Sequence, residues 1–148
     1  MLFRSPAARL RVLIVDDDPL MLKSLCDTLE LDGHAVVTAS GGQAGIDAFR
    51  RAGGADDGFD VVITDLGMPY IDGRKVAEAV KAGAAATPVI LLTGWGQRLV
   101  ADGDVPAHVD RVLSKPPRLR EVRAALAQLT LPAWPRAAAE ESIKEEAP

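Results

Sequence analysis

Apolar positions along the chain gather into five short runs, Leu10–Val15, His34–Thr38, Phe59–Thr64, Pro88–Thr93 and Arg111–Ser114, each followed by a stretch with helical periodicity. Such alternation predicts βαβ units and a parallel sheet covered by helices on both faces. Three of the runs are nearly continuous in Val, Ile and Leu, as expected for strands buried on both sides.

The helices between the runs have readable boundaries. Asp18-Pro19 offers an N-cap followed by proline at the first helical position, and Leu22, Leu25, Cys26 and Leu29 then repeat on one face. This makes Cys26 a core residue rather than a reactive thiol. Gly33 is expected to stop this helix, and Ser40 with Gln43 to form a capping box opening the second. Asp72-Gly73 precedes the third, with Val76 and Val80 inward, and Pro117 is expected to open the fifth, whose buried stripe is Val122, Leu126 and Leu129. Between Gly94 and Asp110, Gly103 and Pro106 interrupt the pattern, so the fourth helix should be short or irregular.

With 148 residues, 48% of them hydrophobic and 26% charged, the chain has the makeup of one soluble domain with a real core. We expect an arm over 1–8, the domain over 9–130 and a charged, proline-flanked tail over 131–148, either disordered or a frayed helix. No apolar run approaches a membrane span. The opening MLFRSPAARLRVLIVDDDP has a five-residue apolar run closed by three acids and no small-residue cleavage site, which argues against a signal peptide. A single cysteine excludes an intramolecular disulfide framework, and a cytoplasmic location follows as the expectation. A net charge of −4 argues against a nucleic-acid surface, which needs clustered Lys and Arg.

In an open parallel sheet the ligand site lies beyond the carboxyl ends of the strands. There the first run ends in Asp16-Asp17-Asp18, the third in Asp65, the fourth in Thr93 and the fifth in Ser114-Lys115. Any one of these has an ordinary reading as a cap, a strand end or a solvated charge; their coincidence at one edge does not. Two carboxylates about 4 Å apart repel by about 4 kcal/mol at an effective dielectric near 20, so a cation is required to offset them. All-oxygen ligation selects a hard ion, with Mg²⁺ the best match, whereas the lack of a nearby cysteine and the presence of only two histidines, His34 and His108, argue against zinc. A carboxylate beside Mg²⁺, a lysine and a hydroxyl is equipment for phosphoryl transfer to an aspartate.

On VLIVDDDP, VVITDLGMPYIDG, VILLTGWG and VLSKPP, taken in this order and spacing, the chain resembles a response-regulator receiver domain of two-component signalling over about residues 9 to 130. The resemblance implies a single doubly wound α/β fold of flavodoxin type, with five parallel strands in the order 2-1-3-4-5. It implies Asp65 as phosphoacceptor and Mg²⁺ held by Asp16, Asp17, Asp65 and the backbone carbonyl of Gly67. Lys115 would pair with the phosphoryl group, Thr93 would move to hydrogen-bond it, and the Lys115-Pro116 peptide would be cis. The donor would be a separate histidine kinase or histidine phosphotransfer protein, because neither His34 nor His108 suits that role. The protein would then be a phosphoacceptor that assists its own Mg²⁺-dependent phosphorylation and dephosphorylation, not an enzyme acting on other substrates.

The sequence departs from the family pattern in places that bear on output. Val112 stands three residues before Lys115, where the family often carries an aromatic ring that turns inward on activation. Tyr70 occupies a corner where the family often has glycine, and reads as an exposed loop aromatic. Gly67 and Trp95, two residues after Asp65 and Thr93, hold places that in the family it resembles tune loss of the phosphoryl group. Gly67 has no side chain to orient a water and Trp95 can cover the site, so slow autodephosphorylation is expected.

Two other readings stand beside this one. Asp16-x-Asp18 with a later threonine and lysine also resembles haloacid dehalogenase phosphatases, although that leaves Asp65 unexplained and offers no later acid pair. The third is an interaction module that works without phosphorylation, against which the complete set of acids, threonine and lysine speaks. About 18 residues follow the fifth helix, too few for a DNA-binding domain, so a free receiver or one from a hybrid kinase is expected.

Overall fold

The computed structural model describes residues 9–53 and 58–130. The expectations for the arm and the tail lie outside the described residues. Elements alternate without exception: β1 (Arg11–Asp16), α1 (Pro19–Leu31), β2 (Ala35–Ser40), α2 (Gly42–Ala52), β3 (Val61–Asp65), α3 (Gly73–Gly83), β4 (Val89–Thr93), α4 (Gly96–Asp102), β5 (Arg111–Ser114) and α5 (Leu119–Leu129). The five strands are all parallel and ordered β2-β1-β3-β4-β5.

Because successive strand residues face opposite sides, the central strands split their side chains between two cores. Val12 and Ile14 of β1 pack with Ile63, Ile90, Leu25, Leu29 and Leu126 under α1 and α5. Leu13 and Val15 pack with Val62, Ile46, Phe49, Val76 and Val80 under α2 and α3. This double burial is why the runs in β1, β3 and β4 carry no interior polar residue except Thr64.

Helix α1 begins as the sequence indicates: the Asp18 carboxylate accepts from the Leu20 and Met21 amides, and Pro19 needs no partner. It ends in a Schellman turn, with Gly33 N–H donating to the Glu30 carbonyl and His34 N–H to that of Leu29. Cys26 is half-buried and packs against this core. Asp72 caps α3 through the Arg74 and Lys75 amides.

Two expected helix starts are corrected. Ser40 and Gln43 form no capping box; Ser40 remains in β2 opposite Asp16, and Gly41 takes the N-cap position at φ +116°. The chain leaves the strand through a conformation that favours glycine, which shifts the helix start past the serine. Gln43 instead donates to Asp47 one turn on. Pro117 does not open α5: Arg118 is still extended and the helix starts at Leu119. The fourth helix is short as expected, seven residues closed by left-handed Gly103.

The amino edge of the sheet is tied by side chains far apart in sequence. The Asp110 carboxylate accepts from the Val89 amide at 2.8 Å and from Lys81 Nζ at 2.7 Å, and Lys81 also donates to the Thr87 carbonyl at 2.7 Å. Arg123 of α5 makes two bonds to Asp32 at the end of α1, each 2.9 Å. His108 is exposed in the loop before β5.

His34 is structural: its Nδ1 accepts the Leu10 amide at 3.1 Å, joining the start of β1 to the turn before β2. Burial lowers its pKa, with Asp32 opposing. The folded state therefore holds fewer protons than the unfolded chain as pH falls through about 6.5, and stability falls with it. Urea denaturation from pH 7.5 to 5.5 should show this loss relative to His34→Gln, which retains an acceptor but does not titrate.

Candidate phosphoacceptor site

All four strand ends singled out from the sequence meet at the carboxyl edge. Asp16 closes β1 and Asp65 closes β3, both buried, while Asp17 is exposed in the turn that follows β1. One carboxylate oxygen from each of the three lies within 4.8 Å of the others. Lys115, directly after β5, reaches across with its ammonium 3.0 Å from Asp16 Oδ2 and 3.0 Å from Asp65 Oδ1. The other Asp16 oxygen accepts the Asp18 amide at 2.9 Å. Thr93, buried at the end of β4, accepts the Trp95 amide on Oγ1 at 3.1 Å.

The electrostatics follow from this crowding. Burial raises the pKa of Asp65, helped by the neighbouring Asp16 and Asp17 charges, while the hydrogen bond from Lys115 opposes the rise. Burial disfavours the Lys115 ammonium, but its bonds to Asp65 and Asp16 outweigh that and raise its pKa. The lysine is thus held charged between two acids that repel each other. The three acids still exceed the one ammonium, and oxygen donors alone face the remaining charge, a donor set that suits a hard divalent cation such as Mg²⁺.

The peripheral positions are also placed. Gly67 is exposed in the loop after β3, with open space where a side chain would project. Tyr70, fully exposed, adopts φ +67°, the left-handed conformation that explains why a glycine suits this corner. Trp95 is 62% exposed and lines a cavity of about 370 Å³ with Gly94, Arg98, Ser114 and Lys115. Val112 is half-buried and faces a larger cavity, about 640 Å³, together with Val100, Ala101 and Leu113. The Lys115-Pro116 peptide is cis.

Two contributors escaped the sequence reading. The Asp18 amide fixes Asp16, a backbone role with no side-chain signature. Gly73 packs on the Asp65 carbonyl so closely that a Cβ would collide with it, seating the start of α3 directly behind the acid. The Asp-Gly pair at 72–73 carried that signal, although it reads first as a helix cap.

Residues 12–127 match the family model of the response regulator receiver domain. The chain belongs to that family, the receiver domains of two-component signalling. It is 34% identical over 122 residues to the transcriptional regulatory protein TcrA of Mycobacterium tuberculosis, covering 81% of this chain and 46% of that protein. It is 37% identical over 148 residues to the virulence sensor protein BvgS of Bordetella bronchiseptica, covering 90% of this chain and 12% of that one. The chain therefore spans less than half the length of these relatives. Among solved structures, the response regulator TrrA of Thermotoga maritima, in complex with Mg²⁺-BeF, superimposes with a TM-score of 0.69 at 27% identity, covering 80% of this chain and 97% of that one. The order 2-1-3-4-5 is the receiver order, and nothing supports the phosphatase alternative. No helix among the described residues is long and apolar enough to cross a membrane.

Replacing Lys115 by methionine strands the buried Asp16 carboxylate with one backbone donor. Without added metal, urea denaturation should show a loss of about 1–3 kcal/mol relative to the wild type.

Proposed function

We propose that the chain is a phosphorylation-dependent switch in which Asp65 accepts a phosphoryl group from the phosphohistidine of a histidine kinase or histidine phosphotransfer protein. The observation that carries this is the convergence of three carboxylate oxygens within 4.8 Å, with one ammonium 3.0 Å from two of the acids, on a receiver sheet. An Asp65 oxygen attacks phosphorus, the bond from phosphorus to the donor imidazole nitrogen breaks, and the imidazole leaves with its electron pair. Asp16, Asp17, Asp65 and the Gly67 carbonyl would hold Mg²⁺, which supplies charge neutralisation at the transferring group. Lys115 then moves its ammonium from the Asp65 carboxylate to the phosphoryl oxygens. Thr93 exchanges the Trp95 amide for a bond to the same group.

The protein is on this reading a participant in its own phosphorylation and dephosphorylation rather than an enzyme for other substrates. It works by changing protein contacts in the cytoplasm, without nucleic acid or membrane. The arrival of a group of charge about −2 beside Lys115 and Thr93 supplies the difference between two states.

Incubation with a phosphorylated histidine donor and Mg²⁺ should label the wild type and leave Asp65→Asn unlabelled, and a chelator should stop labelling. Labelling of Asp65→Asn to the same extent would overturn the assignment.

Trp95 lines the cavity beside Lys115 and restricts water at the phosphoryl group. Trp95→Ala should therefore shorten the lifetime of the aspartyl phosphate, followed by loss of label after donor removal.

A further inference from the structure

Arg98, the third residue of α4, lies on the same cavity of about 370 Å³ as Trp95, Ser114 and Lys115. It is exposed, and among the described residues it makes no ion pair or hydrogen bond, not even with Asp102 one turn on. Lys115, by contrast, is fully engaged by Asp16 and Asp65. Arg98 is therefore an uncommitted cation on the rim of the site.

Charge balance gives that cation a task. Three carboxylates are matched by Lys115 and one divalent ion. Phosphorylation consumes the Asp65 charge and brings a group of about −2, leaving the cluster about one negative charge in excess. A guanidinium presents a planar fork suited to phosphoryl oxygens.

The packing of α4 is uneven: its first turn sits tightly on β5, where a Cβ at Gly96 would collide with Ser114, while its later residues border open space. The helix has only seven residues, and beneath it the cavity of about 640 Å³ is lined by Gly96, Val100, Ala101 and Val112. Valine at 112 leaves space that a larger side chain would fill.

Resting on the assignment of Asp65 as phosphoacceptor, we propose that Arg98 senses the phosphoryl group. Its guanidinium pairs with the phosphorylated Asp65 and pins the first turn of α4 where it rests on β5, so that this helix stiffens on phosphorylation without a rotating ring at 112.

The test is calorimetric titration of the full chain with beryllofluoride at saturating Mg²⁺, alongside titration with Mg²⁺ alone. Arg98→Gln should weaken beryllofluoride binding by about three- to tenfold, while Mg²⁺ binding stays the same or tightens because a repelling cation has gone. Arg98→Lys should recover part of the loss. Amide exchange in α4 should slow with beryllofluoride in the wild type but not in Arg98→Gln. Equal beryllofluoride affinity in wild type and Arg98→Gln, or a parallel loss of Mg²⁺ affinity, overturns the role of Arg98 and leaves Asp65 as acceptor. A wild type that binds no beryllofluoride overturns both.

Discussion

The Lys115 ammonium, 3.0 Å from both Asp16 and Asp65, joins the ends of three strands that otherwise would bring like charges together. Repulsion among the three acids opposes the close approach of β1 and β3 at this edge, and burial makes it stronger. The cores on the two sheet faces supply the opposing force, since both acids terminate strands whose preceding residues are fully buried. The site is therefore strained electrostatically but held sterically. Burial is the main reason the pKa of Asp65 is raised, with the neighbouring acids adding to it and the Lys115 bond opposing.

Most of this was legible because it is local. A strand buried on both faces announces itself as a continuous aliphatic run, and an acid at its end needs only a count along the chain to be placed at the carboxyl edge. The Asp18 and Asp72 caps were equally readable, because each cap and its donors are adjacent in sequence. The Ser40 capping box failed because pairing kept that serine in β2 and only Gly41 could make the turn. Lys81 and Asp110 were invisible for another reason: they are 29 residues apart, and each alone is an ordinary surface charge. Arg98 escaped because a seven-residue helix is too short for its periodicity to show which side chains face the site.

Three departures of this chain from the common receiver pattern, Trp95, the short α4 and Val112, lie around the β5 edge, whereas Gly67 and Tyr70 lie in the loop after β3. The face under α1 and α5 is densely packed, and α1 is further tied to α5 by the two bonds between Arg123 and Asp32. Where β5 meets α4 there is a valine at 112, a short helix and a cavity that also reaches Arg118 and Glu121 at the start of α5. The tight packing around α1 and the open space beside Val112 differ in how much a side chain can move without displacing its neighbours.

Strand β5 is anchored at both ends. Asp110, just before it, exchanges bonds with Val89 and holds Lys81, while Lys115, just after it, bonds the Thr93 carbonyl through its amide and the two acids through its ammonium. Its four residues are half-buried, and Val112, Leu113 and Ser114 line the open cavity. Like a cord tied at both ends, it cannot answer a tug by sliding along its length. Its ladder to β4 fixes the register between those ends, so four residues of strand set the spacing between the ion pair at the amino edge and the ammonium at the carboxyl edge.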